Sequence, residues 1–341
     1  MNSNQQLSIC IATGIYPPEL GGPAEYAKNL ADVWSGDGHR VFVNVFSRFN
    51  YLPTGIRHCV YFLTLCKSVW NADFVFILDT FSAALPALVM SKILGKKTML
   101  RTGGDFLWEG YVERTGDLVL LKDFYTKRAH PFSYKEKVIL CIIKFILKHV
   151  DVVVWSTQWQ KDIFIGPYEL IDQKHVVIEN YYGKKFEYVA PVNKNFVAGT
   201  RVLKWKNIAV LETVFKENDV VALGVALDLE RVPHELFLEK IKKSYAVIIS
   251  SLGDISPNTI LDAIRCGKPF IVTKETGLYE RIKSIALFVD PKNSQDIKEK
   301  VVWLLDPENY KEQCAKIKAF SFTHTWEDIA QEYVALYKEI Q

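Results

Sequence analysis

The sequence predicts an α/β protein made of two doubly wound, largely parallel sheets. Three observations predict it. Short apolar runs rich in β-branched residues alternate with helix-length segments along most of the chain. The first run opens into a loop carrying glycines and prolines and then a helix, as a doubly wound sheet begins. A polar stretch with Gly and Pro at 181–195 (YYGKKFEYVAPVNKN) then reads as a linker between one alternating series, 1–180, and a second, 196–320.

In chain order, Leu7 to Ala12 (LSICIA) is a strand, Gly14 to Glu25 a glycine loop, Ala24 to Ser35 a helix and Arg40 to Phe46 a strand. The glycines do not fit G-x-G-x-x-G, so the nicotinamide or flavin fingerprint is absent where it belongs. Gly21 and Gly22 either let backbone approach a ligand or make a plain tight turn. Phe74 to Leu78 is a strand, Ser82 to Leu94 a helix, and Lys97 to Leu100 a strand that ends in the polar run RTGGDFLWE, Arg101 to Glu109. Polar groups at the carboxyl end of a parallel strand point into the crevice where such sheets take ligands, which makes Asp105 a candidate. It could equally cap the next helix.

Residues 110–133 form a long polar and aromatic insertion, more often functional than ornamental in a compact domain. Tyr134 to Val150 is an apolar helix bearing Lys135, Lys137, Lys144 and Lys148. Together with Lys122, Lys127 and Arg128 it makes either a basic, apolar surface able to touch an anionic membrane or a core helix with lysines on its wet face. Strands follow at Asp151 to Trp155 and His175 to Ile178.

Composition narrows the function. With 341 residues, 49% of them hydrophobic and 24% charged, the chain is long enough for two domains, and a net charge of +3 is too small to argue for nucleic acid. The basic excess lies in residues 1–150, with 17 Lys/Arg against 12 Asp/Glu. Six cysteines without CxxC pairs suit reduced core thiols in a cytoplasmic protein, and no metal motif or cofactor fingerprint stands out. Met1 to Gln6 lacks the regions of a signal peptide, and no apolar run reaches the ~18 residues of a membrane span.

The second series opens with the strand Phe196 to Ala198 and the loop GTRVLKWKN, Gly199 to Asn207. Its Arg201 and Lys206, five apart, form a cation pair suited to a diphosphate, the Arg as a planar fork and the Lys as a point charge. A helix at Asn207 to Glu217, a strand at Asp219 to Val225, a helix at Pro233 to Lys243 and the strand YAVIIS, Tyr245 to Ser250, lead to the most informative stretch. There Ser256 is placed to cap a helix, Pro257 to occupy its first position with Asn258 and Thr259 close behind, and Gly267 to end it before the strand Pro269 to Val272. A helix start aimed out of the carboxyl end of a parallel strand offers free amides to a phosphate. Asp254 lies before this helix and Asp262 within it; they are either acceptors for sugar hydroxyls or a loop residue and a solvated helix face.

This stretch resembles the signature of the retaining glycosyltransferases of family 4, in which two acidic residues eight apart precede an Ala-x-x-x-Gly-x-Pro run. Here the run is Asp262-Ala263-Ile264-Arg265-Cys266-Gly267-Lys268-Pro269, followed by Thr276-Gly277 and Glu280, with aspartate where the family usually has glutamate. Gly21-Gly22 and the Arg201/Lys206 element resemble further family motifs, and Phe320 to Gln341 resembles its closing helix, which returns to the first domain. The resemblance implies a GT-B fold, two Rossmann-like domains facing across a cleft. It implies a nucleotide-sugar donor, an acceptor hydroxyl on a glycan or lipid, retention of configuration and no metal. By residue it implies that Arg201, Lys206 and the helix amides hold the diphosphate, Asp254 the donor sugar, Asp262 the ribose, and Asp105 the place usually held by a histidine. The alternatives are a nucleotide-sugar hydrolase or epimerase, and a non-catalytic partner subunit on the same fold.

Overall fold

The structure is a computed structural model and describes residues 6–19, 21–171, 174–198 and 203–341. It divides into two compact units: Met1–Leu107 with Phe132–Asn180 and His324–Gln341, and Trp108–Pro131 with Tyr181–Thr323.

The first unit is built on a parallel sheet of six strands, β1 (Ser8–Thr13), β2 (Arg40–Val45), β3 (Phe74–Leu78), β4 (Lys97–Arg101), β5 (Val152–Trp155) and β6 (Lys174–Val177), in the order β2-β1-β3-β4-β5-β6. The central runs VVVW and FVFIL are buried on both faces, which is why they lack polar alternation. One face is covered by the helices Gly22–Gly36 and Trp326–Ile340. Trp34 on the first sits within 6.3 Å, centre to centre, of Phe74, Phe76 and Tyr333, and its indole N–H donates to the Ala330 carbonyl at 3.2 Å. Right-handed crossovers place the helices Ile56–Trp70, Ala84–Ile93, Tyr134–His149 and Gln158–Tyr168 side by side on the other face. The Ile56–Trp70 helix has no counterpart in the sequence reading.

The second unit carries β7 (Asn195–Val197), β8 (Ala226–Asp228), β9 (Ala246–Ile249), β10 (Phe270–Thr273) and β11 (Leu287–Val289), all parallel, in the order β11-β10-β9-β7-β8. Apolar clusters fill both of its faces, one beneath Asn258–Arg265 and His234–Lys243, the other beneath Ile208–Lys216 and Ser294–Leu304.

Several expectations change. Residues 108–131, expected with the first domain, belong to the second unit because Trp108 packs on Trp205 at 5.4 Å and Leu121 lies over Gly253. The expected strand at Asp219 to Val225 is a helical turn, Asn218–Val221, followed by a left-handed Gly224; the strand comes later, at Ala226–Asp228. The Asn258–Arg265 helix starts one residue after Pro257, and the Ser256 hydroxyl does not cap it. Gly267 does end it: at φ +67° it lets Gly267 N–H reach Ile264 O at 3.1 Å and Lys268 N–H reach Ala263 O at 2.9 Å. Of the cysteines, Cys10 and Cys266 are core thiols, whereas Cys59, Cys66 and Cys141 lie exposed on helices.

Candidate active site

In the second unit the chain leaves β7 for β8 on one side and reaches β9 on the other, so β7 and β9 flank the point where the winding reverses. Loops diverge there and leave a crevice at the carboxyl ends of the strands. The loops after β7 and β9 are stitched together at this point. Leu252 N–H donates to Trp205 O at 2.9 Å, and the Ser250 hydroxyl donates to Asn207 O at 3.1 Å. Asn207 turns the chain into its helix in the left-handed conformation, φ 54°, with its side-chain amide donating to Pro291 O at 2.6 Å. These bonds fix Lys206 opposite Asp254.

Lys206 Nζ lies 2.5 Å from Asp254 Oδ2, and both side chains are mostly buried. The Ser251 hydroxyl donates to the same oxygen at 3.2 Å. Oδ1 of Asp254 has no hydrogen-bond partner among the described residues. The backbone of Asp254 is itself clamped, its N–H on Glu275 O at 2.9 Å and its carbonyl accepting from Gly277 N–H at 3.2 Å. A carboxylate held through one oxygen on a rigid loop, with a cation beside it, can accept hydroxyl hydrogen bonds through the other and present an ammonium to an anion. The Asn258–Arg265 helix starts four residues on, with Asn258 and Thr259 in its first turn, where amides have no partner within the helix. The Ser256 hydroxyl just before it is enclosed and unpaired among the described residues.

Asp262, deeper in that helix, is buried and engaged through both oxygens: Oδ2 lies 2.8 Å from His234 Nε2 and Oδ1 3.2 Å from the Arg265 guanidinium. His234 opens the His234–Lys243 helix and is half exposed. Arg201, the partner expected for Lys206, lies outside the described residues.

The Trp108–Pro131 segment forms a wall of this site. Leu121 N–H donates to Leu252 O at 3.2 Å, Trp108 packs on Trp205, and Glu113 accepts the Lys204 backbone N–H at 2.6 Å. Lys122 lies 2.6 Å from the buried Glu275 carboxylate. Lys122 and Glu275 were invisible as a pair in the sequence, since no spacing rule joins groups 153 residues apart.

In the first unit, Gly14 follows β1 and Asp79 follows β3, the two strands at that sheet's reversal. A Cβ on Gly14 would lie 3.0 Å from Asp79 Oδ2, so glycine lets the loop pass against the carboxylate. Burial raises the Asp79 pKa, and the amides of Phe81 to Ala84 offset part of the rise. Gly21 is packed likewise, its missing Cβ 2.9 Å from Ile15 Cδ1, and Gly22 begins the helix. Asp105 is buried and accepts the Leu107 N–H at 3.0 Å, the bond of a residue starting the Phe106–Thr115 helix. At the end of β4, Arg101 is buried over the Tyr26 ring at 3.8 Å and donates to Ser156 Oγ at 2.9 Å and to Asn180. Asp79 has no counterpart in the sequence reading, and Arg101 enters it only as the head of a polar run; a charge directly closing an apolar strand was the available signal.

No protein-family model matches the sequence, and no curated protein sequence matches it. Solved structures do. The sucrose-phosphate synthase of Thermosynechococcus elongatus superposes with a TM-score of 0.70 at 14% identity, covering 98% of this chain and 99% of that one. HepE of Anabaena in complex with UDP gives 0.65 at 14% identity over 98% and 100%. The catalytic domain of starch synthase IV from Arabidopsis thaliana, bound to ADP and acarbose, gives 0.68 at 10% identity over 98% and 99%. The chain therefore has the GT-B fold of these glycosyltransferases, two Rossmann-like α/β units.

Proposed function

We propose that the protein is a glycosyltransferase that moves a sugar from a nucleotide-sugar donor to an acceptor hydroxyl on a glycan or lipid, with retention of configuration. The observation that carries this reading is the Lys206–Asp254–Ser251 cluster at the reversal point of the second sheet, one oxygen of Asp254 held and the other open. In this reading the donor diphosphate lies against Lys206, Arg201 and the first-turn amides of the Asn258–Arg265 helix. Lys206 has three N–H donors, so it can keep Asp254 while binding a phosphate oxygen. As the bond from sugar to diphosphate breaks, negative charge grows on the leaving group, and these fixed donors stabilise it more than they did the intact donor. Asp254 Oδ1 orients the sugar hydroxyls. Asp262 takes the ribose hydroxyls by exchanging them for His234 or Arg265.

The experiment is thermal unfolding against UDP, ADP and their glucose conjugates, followed by turnover with the donor that binds. A bound donor at a hundredfold its Kd should raise the melting temperature by roughly 3–8 °C. Asp254→Asn should keep the fold and lose about 10²–10³ in kcat. No shift with any nucleotide would overturn the reading. A second reading, a non-catalytic partner subunit, is favoured by the full engagement of Asp262; it predicts no turnover and no change of partner binding in Asp254→Asn. Nucleotide release that needs no acceptor would instead mark a hydrolase or epimerase.

A further inference from the structure

The first unit carries a surface that the transferase reading does not use. The helices Ile56–Trp70, Ala84–Ile93 and Tyr134–His149 lie side by side, and their inward stripes, such as Tyr61, Leu65 and Val69 on the first, are buried against the sheet. An ordinary surface helix would be polar on the other side. These are not. Leu63 is 69% exposed, Trp70 67% and Ile93 65%, and Ile56, Val138 and Phe145 also point outward. On the first helix the exposed apolar positions 56, 63 and 70 fall seven apart, on one stripe.

Charge supplies the second observation. Residues 52–72 and 80–101 contain no Asp or Glu, and the only one from 124 to 150 is Glu136, which is buried in a capping box with Ser133. Lys144 and Lys148 are drawn aside by Glu169, at 2.5 and 2.9 Å, and Lys92 lies 3.5 Å from Asp151. Lys67, Lys135 and Lys137 remain exposed, with no carboxylate partner among the described residues. Lys122, Lys127 and Arg128, which the sequence grouped with this surface, belong to the second unit, and the two lysines pair there with Glu275 and Asp123.

We infer that this three-helix face docks on an anionic lipid surface. Leu63, Trp70 and Ile93 enter the boundary between headgroups and acyl chains, and the lysines meet lipid phosphates. The contact is peripheral, since no helix among the described residues is long and apolar enough to cross a membrane. A second copy of the chain fits the face poorly, because a two-fold contact would set its lysines against themselves. The inference stands apart from the transferase reading, and its test needs no donor.

The test is co-sedimentation of the full chain with vesicles of phosphatidylcholine, alone or with about 30% phosphatidylglycerol, at low and high salt. The expected result is binding to the anionic vesicles only, weakened by salt. Leu63→Glu/Ile93→Glu should lose about tenfold or more of that binding, and Lys67→Glu/Lys137→Glu should remove its salt-sensitive part. Because all four side chains are exposed, both variants should keep the parent melting temperature. Failure of the parent to bind anionic vesicles, or equal binding by both variants, would overturn the inference. So would a solution dimer dissolved by Leu63→Glu/Ile93→Glu, which would give the face to a second copy.

Discussion

Lys268 shows how a single residue couples this fold to pH. Its side chain is fully buried, donating to Val189 O at 2.7 Å with its ammonium 5.1 Å from the Tyr188 ring centre. Burial pushes its pKa down to about 8, below the ordinary lysine value. The unfolded chain therefore holds this proton more tightly, and between about pH 8 and 10.5 the group makes folding more favourable as pH rises. Cys266 and Tyr245, both pushed up to about 12 by burial, act with the opposite sign and cost stability as pH rises. A comparison isolates the lysine. The stability of Lys268→Met minus that of the parent should fall between about pH 7.5 and 9.5 in urea denaturation; a constant difference would count against the buried ammonium. At this scale the sequence was legible where a residue type had a local reason to sit where it does. Lys206 and Asp254 each stand out in their own loops, and the two side chains meet at 2.5 Å. The His234 contact to Asp262 was not legible, because it depends on where a helix 28 residues upstream comes to lie; the Arg265 contact is an i,i+3 pair within one helix.

Elements were legible in proportion to their punctuation. The buried strands and the Gly267 stop followed from β-branched runs and from the left-handed residue a helix end requires. The Ile56–Trp70 helix has no counterpart in the sequence reading although Tyr61, Leu65 and Val69 form a buried stripe at helical spacing; exposed Ile56, Leu63 and Trp70 blur that stripe from the other side. The Trp108–Pro131 segment was assigned to the wrong unit because sequence order says nothing of which partner a loop chooses. Its seat depends on Gly253, where an added Cβ would lie 2.4 Å from Leu121 Cβ and 3.3 Å from Trp108. Gly253→Ala should thus push the segment off its seat at a cost of about 1–3 kcal/mol. Limited trypsin digestion should show it as faster cutting at Lys122, Lys127 and Arg128, with a change in the emission of Trp108 and Trp205. Unchanged digestion would mean that the loop yields without releasing the segment.

For the whole molecule, the alternation of strands and helices was enough to predict two α/β units, but not how the chain divides its segments between them. The first unit takes the Trp326–Ile340 helix as the cover of one sheet face, where Tyr333 and Tyr337 meet Trp34, Phe74 and Phe76. A chain ending at Thr323 would uncover those aromatics, each worth roughly 1.5–3 kcal/mol, against a total stability of about 5–15 kcal/mol. Such a chain should lose its cooperative melting transition and its near-ultraviolet circular dichroism; retention of both would show that the helix is dispensable. The boundaries at 107/108, 131/132, 180/181 and 323/324 carry a further consequence, for synthesis. A ribosome emits residues 108–131 well before β7 to β11, the strands of their unit, and emits all six strands of the first sheet well before the Trp326–Ile340 helix that helps cover it. At about 5–20 residues per second, roughly 7–30 s separate β6 from that helix. During that interval the nascent chain exposes the part of an aromatic sheet face that the Gly22–Gly36 helix leaves uncovered, and it is then that a chaperone has most to shield.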